Sequence, residues 1–259
     1  MSKIIFTDTI GVPNEFKPKP SKNNIPEWYK NLDSYMGASK TLDINGSTTA
    51  TIKKCMPMFD ALTAGYILFT YETIYISQQK VEYGDSDFFR KTGQIKLLTE
   101  DEKKEQDLKT TQPYYEWNAK EPISFHVKDQ APTHPNNNGH MSYPKWINPW
   151  AIKTKPGYSS LFLQPTHRES VFSILPGIVD TDTYNSPVHF PFVLNNIDFE
   201  GVIPAGTPMA QVIPFKREVW KMEIGSQKEL ESQSKTNSLL KVKSFESYKS
   251  QFRQSKKYN

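Results

Sequence analysis

The sequence predicts a mainly β protein, and three observations carry that expectation. Residues 150–224 alternate short β-like runs with Pro- or Gly-containing turns at close intervals, the pattern of a sandwich or barrel. Nineteen prolines stand against twelve glycines, which favours many short strands joined by rigid turns. Aromatic residues reach 13% while apolar residues total 36%, so the expected core rests on Phe, Tyr and Trp. The mean hydropathy of −0.64 leaves much of the length to loops and solvated surface. With 259 residues the chain can bury a full core, as one large β domain or one domain with appendages.

Residues 1–50 read as an N-terminal arm. Ile4-Ile5-Phe6 is a strand candidate, and a Pro- and Lys-rich stretch follows. The run from Ile25 to Leu32 predicts a short helix with Pro26 in its first turn. Residues 37–50 are rich in Gly, Ser, Thr and Asn, a loop composition. The β domain is expected over 51–225. Met58–Leu62 suggests one helical turn, and Tyr66–Ile76, rich in aromatic and β-branched residues, one or two buried strands. Residues 77–148 read as a polar insertion, with Thr99-Glu100-Asp101-Glu102 at capping-box spacing before a solvated helix that runs to Lys109. Further strands are expected at Ser160–Leu163, Val171–Leu175, Val188–Leu194, Gly201–Ile203 and Met209–Phe215. Residues 226–259 form a basic tail, in which Phe245, Tyr248 and Phe252 at helical spacing predict an amphipathic helix.

Several function classes recede at this stage. No run of eighteen apolar residues predicts a membrane span, and the first residues lack the charged-then-apolar build of a signal peptide. The single Cys55 excludes an internal disulfide and a Cys-cluster zinc site. Both features suit a reducing cytoplasm, or a virion part assembled there. The formal charge of +4 is uneven, because residues 239–259 hold six basic side chains against Glu246. A solvated tail is the favoured reading over nucleic-acid contact. Neither a Gly-x-x-x-x-Gly-Lys nor a Gly-x-Gly-x-x-Gly phosphate motif is present.

The most informative string is Pro176-Gly177-Ile178-Val179-Asp180-Thr181-Asp182-Thr183-Tyr184. Asp180 and Asp182 share a face if the strand continues through them. One acid could then hold a water as general base while the other binds a metal or a sugar hydroxyl. Alone, the string favours the other reading, a turn closed by Asx hydrogen bonds. His126, His134 and His140 lie in a Pro/Asn region without tight metal spacing. His167, His189 and Asp180 could gather as metal ligands from separate strands, with a packing role preferred for His189. Trp146 and Trp150 flank Asn148-Pro149 and are expected in packing rather than on a stacking surface. Cys55 has no evident base beside it that would make it a nucleophile.

That acidic string is similar to the third motif of the trimeric dUTPase and dCTP deaminase superfamily, Gly-Val-Ile-Asp-x-Asp-Tyr. Three further pieces follow in family order. Thr63-Ala64-Gly65-Tyr66-Ile67-Leu68 resembles the first motif, Gly157-Tyr158-Ser159-Ser160-Leu161 the second, and Gly206-Thr207-Pro208-Met209-Ala210-Gln211-Val212 the fourth. The resemblance implies a distorted jelly-roll, often a trimer with sites between subunits. It makes Asp180 the water-orienting acid, with Asp182 beside it, and places Ser159, Ser160 and Gln211 where phosphates bind. The departures are specific. Ile67 stands at the acidic position of the first motif, and Tyr158 replaces the phosphate-clamping arginine of the second. Tyr184, the base-stacking candidate, is displaced by one residue. Arg168, just beyond the second motif, is the candidate replacement clamp. No Gly-rich fifth motif closes the C-terminus. The stretch from Asn148 to Glu218 also looks like a family of phage and bacterial proteins that brings no known activity.

Shape-forming positions match that pattern better than chemical ones. The leading expectation is a non-catalytic structural or interaction protein, phage-encoded, in the host cytoplasm or the virion. It would form a homo-oligomer, with a trimer as one option, or hold a phage protein partner. The alternative is a nucleotide-binding enzyme of the dUTPase or dCTP deaminase type, with Asp180 directing water and Mg2+ accompanying the nucleotide. A metal-dependent jelly-roll enzyme is the third reading.

Overall fold

The computed structural model describes residues 2–38, 40–42, 49–77, 94–96, 122–126, 143–196, 199–242 and 246–259. The protein is mainly β, as expected, with antiparallel sheets and a few helices. The chain separates into two units, each built from two stretches. One comprises residues 1–19 and 65–217, the other residues 20–64 and 218–259. The sequence reading placed its boundaries at 50 and 225.

The first unit carries nearly all the strands. Strand β1 (Ile4–Asp8) pairs with β8 (Trp150–Thr154), which the sequence reading did not mark. β2 (Lys19–Pro20) is a two-residue edge. The apolar run at 66–76 divides into β3 (Tyr66–Phe69) and β4 (Ile74–Ser77). The region read as an insertion contributes β5 (Gln94–Lys96), β6 (Ile123–His126) and β7 (Tyr143–Trp146). It therefore builds part of the sheet structure, and Ile123 and Trp146 lie in the core. Its expected helix near 99–109 falls outside the described residues.

Beyond β8 come β9 (Tyr158–Leu163), β10 (Phe172–Ile174), β11 (Gly177–Val179), β12 (Phe190–Leu194), β13 (Gly201–Ile203) and β14 (Pro208–Lys216). A five-stranded sheet runs β11-β9-β14-β3-β2, and a four-stranded one runs β10-β12-β7-β6. A three-stranded sheet, β13-β4-β5, and the β1-β8 pair complete the set. Among the described residues no sheet closes on itself. The core is aromatic, as the composition implied. Trp146 stacks on Phe192 with centroids 4.8 Å apart, and Phe162 lies 5.3 Å from Phe190.

Gly65 shows why one loop residue is what it is. Its φ is +65°, and a Cβ there would sit 1.9 Å from the carbonyl oxygen of Val212 on β14. Only glycine tolerates both the left-handed backbone and this approach.

The second unit is helical. α1 (Glu27–Asn31) starts after Pro26, which occupies the N-cap rather than the first turn. α2 (Met56–Thr63) is longer than the single turn expected, with Pro57 inside its start, where the missing N–H costs nothing. Tyr29, Met58 and Leu62 form a small core of their own. α3 (Gln227–Val242) lies before the predicted stripe, and one wide turn follows at Tyr248–Phe252. Tyr248 is exposed and Phe252 half-buried, while Phe245 lies outside the described residues. The tail is not simply solvated. Arg253 donates to Asp60 from Nε at 3.1 Å and from Nη2 at 2.7 Å, and Lys256 Nζ donates to the same carboxylate at 2.9 Å. No described helix is long and apolar enough to cross a membrane.

Candidate functional site

Backbone pairing brings the strings at 157–161 and 176–184 together. β11 lies on β9 with Val179 opposite Ser160, so Asp180 arrives beside Ser159. The chain then turns tightly, since the amides of Thr183 and Tyr184 both donate to the Asp180 carbonyl, at 3.0 and 2.8 Å. On its other side β9 pairs with β14, Ser159 facing Phe215 and Tyr158 facing Lys216. Arg217 follows and donates its amide to the Gly157 carbonyl at 2.8 Å, which fixes where its guanidinium points.

That guanidinium closes the cluster. Arg217 Nη1 donates to Asp182 Oδ1 at 2.8 Å, to Asp180 Oδ1 at 3.1 Å and to Ser159 Oγ at 3.1 Å. Its Nη2 donates to Asp182 Oδ2, which also accepts the Gly157 amide at 2.8 Å. Ser159 Oγ donates to Asp180 Oδ1 at 2.6 Å. Asp182 is thus sequestered, its side chain 5% exposed, and the Arg217 hydrogen bonds hold its carboxyl down from an ordinary 3.8 to about 2. Asp180 stays open to water, with 61% of its side chain exposed.

Beneath the acids lies a hydroxyl network. Thr181, fully buried, places its Oγ1 2.9 Å from Thr154 Oγ1 and 3.0 Å from Ser160 Oγ. Ser160 therefore points into the protein, and its hydroxyl is engaged with the fold rather than presented on the surface.

The remaining candidates lie elsewhere. Gln211 faces Leu163, four positions along β9 from Ser159, a separation of about 13 Å along a strand. Its Oε1 accepts the Thr166 amide at 3.1 Å. Arg168 follows that same far end of β9, where burial pushes its guanidinium below its ordinary value. Tyr184 is exposed and leaves the turn by a backbone bond. Within one chain the expected phosphate-binding residues therefore divide between the two ends of β9.

Among the described residues no three His, Cys, Asp or Glu side chains gather as a metal site requires, so His167, His189 and Asp180 are not brought together. His126 lies in β6, and His134 and His140 fall outside the described residues. Trp146 and Trp150 are core residues. Cys55 is exposed and lines a cavity of about 360 Å³ in the second unit, with Tyr35, Lys54 and Glu246.

Arg217 is the residue the sequence reading missed. It lies within the string Pro214-Phe215-Lys216-Arg217-Glu218, 35 positions from Asp182, and only the β9–β14 register reveals the pairing. No family model matches the chain, and no curated protein matches it.

Proposed function

We propose that the chain is a non-catalytic interaction protein, phage-encoded, built on a dUTPase-like jelly-roll scaffold and acting as an oligomer in the host cytoplasm or the virion. One observation carries this reading: a single guanidinium, from Arg217, occupies both acids of the third-motif string. A general base must accept a proton from a bound water. Asp182, nearly buried and paired at both oxygens, is unsuited to that, and its carboxyl at about 2 is a poor base near neutrality. Gln211 and Ser160 serve the fold in the same way. The turn at 180–184 then acts as an architectural clamp that joins β11, β9 and the end of β14.

The exposure of Asp180 favours a second reading, the nucleotide-binding enzyme with Mg2+. The two part in a thermal-stability titration of the purified chain with deoxynucleotides, with and without Mg2+. A ligand that binds only the folded state raises the midpoint once its concentration passes the dissociation constant. The interaction reading expects no shift across the panel. A shift with dUTP or dCTP that Asp180→Ala or Gln211→Ala abolishes would replace it by the enzyme reading.

A further inference from the structure

The cavity in the second unit measures about 360 Å³, at the lower end of the range that small-molecule sites occupy. Both stretches of that unit line it. Backbone bonds fix the first stretch. The Met36 amide donates to the Thr49 carbonyl at 2.8 Å and the Thr51 amide to the Ser34 carbonyl at 3.0 Å, so Tyr35 and Ala50 face each other as an isolated β-bridge. A single 3-10 turn, Ile52–Lys54, follows and leads straight into α2. The amides of Lys54 and Cys55 bond back to the Thr51 and Ile52 carbonyls, both at 2.9 Å. The second stretch contributes Glu246 to Lys249. Glu246 has a left-handed backbone, with φ +58°, which a non-glycine residue keeps only where its surroundings hold it.

Tyr35, Ala50, Met56, Pro57 and Tyr248 give the cavity an apolar and aromatic wall. Its charged groups converge on one point. Glu246 Oε1 accepts from Lys54 Nζ at 3.1 Å and lies 3.6 Å from Lys249 Nζ. Lys54 Nζ also stands 5.2 Å from the centroid of the Tyr35 ring. Two ammonium groups thus share one carboxylate, and among the described residues the lining carries one surplus positive charge. Lys54, together with Lys249 and Lys40, holds the Glu246 carboxyl below its ordinary range. Lys54 and Glu246 are both half-buried, so water screens their charges only in part.

We infer that this cavity binds a small aromatic carboxylate, with its ring against Tyr35, Met56 and Tyr248 and its carboxylate on Lys249. Small-molecule sites combine an apolar wall with a few placed polar groups, and this lining has that composition. One surplus charge selects a monoanion. Phosphate groups carry more charge and favour the forked donors of arginine, and no arginine lines the cavity among the described residues. A cationic ligand would meet two ammonium groups around the single carboxylate. The tyrosine rings favour a flat aromatic partner, and the flexible Met56 thioether adapts to its edge. Cys55, the one cysteine of the chain, lies in the same lining, so a bound molecule covers it and the thiol reports on the site.

The test alkylates the full chain with iodoacetamide and follows the Cys55 adduct by mass spectrometry. Naphthylacetate is the probe, and its neutral carboxamide, naphthylacetamide, is the control of matching shape. Naphthylacetate should slow the alkylation by the ratio of free to total sites, about tenfold at ten times its dissociation constant. Naphthylacetamide at the same concentration should protect far less. In Lys249→Gln, whose parent side chain is 47% exposed, the ratio of rates with and without naphthylacetate should approach one. No protection by naphthylacetate up to its solubility limit overturns the site. Equal protection by the acid and the amide overturns the choice of a carboxylate, and this comparison needs only the parent chain. Protection that survives in Lys249→Gln overturns the role given to that lysine.

Discussion

Arg217 and Asp182 meet at two points, Nη1 on Oδ1 at 2.8 Å and Nη2 on Oδ2, so the planar fork fixes the orientation of both groups. The contact ties the residue just after β14 to the turn just after β11, across the intervening β9. Removing it should loosen that end of the sheet. Arg217→Ala is expected to lower the thermal midpoint. Arg217→Lys should fall between the variant and the parent, because lysine keeps the charge and loses the fork.

The same pair sets an acid limit. The Asp182 carboxyl lies at about 2 in the folded chain against an ordinary 3.8. A depressed carboxylate contributes stability that is fully present above its unfolded value and is lost as pH falls through its folded value. The thermal midpoint should therefore drop between about pH 4 and pH 2. Asp182→Asn should start lower and decline less across that window. A variant whose decline matches the parent would remove Asp182 from the account.

Gly65→Ala should destabilise the first unit by more than about 2 kcal/mol, because left-handed backbone strain adds to a clash with the Val212 carbonyl. Urea unfolding measures it. The steric reason for a glycine at this position involves no ligand.

The core offers a contrast between two aromatic residues. Phe162, 1% exposed, should cost about 3–5 kcal/mol when changed to Ala. Trp146 is buried as deeply, but its indole Nε1 has no hydrogen-bond partner among the described residues. Trp146→Phe removes that donor along with some apolar area, and the two effects offset. Its cost should stay below about 1.5 kcal/mol by the same unfolding measurement.

In the second unit, Asp60 holds the tail through Arg253 and Lys256. The Arg253 hydrogen bonds lead in holding its carboxyl below the ordinary 3.8. The latch is thus present above that value and weakens as pH falls below it. At neutral pH, Asp60→Asn should speed tryptic cleavage after Arg253 and Lys256, read by mass spectrometry of the native digest. Equal cleavage rates in the two chains would mean the tail is secured elsewhere.

Strand candidates in residues 150–216 were legible because alternation and turn residues act locally. Gly201–Ile203 matches its expected limits, and Phe172–Ile174 and Phe190–Leu194 lie within theirs. β6 and β7 were hidden in a polar, Pro-rich stretch, because strands there gain their stability from partners distant in sequence, β7 from β12. The turn at Asp180 was legible as a turn and ambiguous as a site. Whether an acid serves a water or a guanidinium depends on which strand end arrives beside it. Here that is the end of β14, a matter of sheet register and not of local pattern.

The bond between Asp60 and Arg253 spans 193 positions and also has a meaning during synthesis. Ribosomes add about 5–20 residues each second, so Asp60 emerges roughly 10–40 s before its partner. Throughout that interval the strands of residues 65–217 can pair and bury their aromatic side chains, while α2 still lacks the cations that will neutralise its carboxylate. The second unit is therefore the last part of the chain to mature, and a ribosome that stalls shortly before residue 253 leaves the α2 carboxylate without its latch.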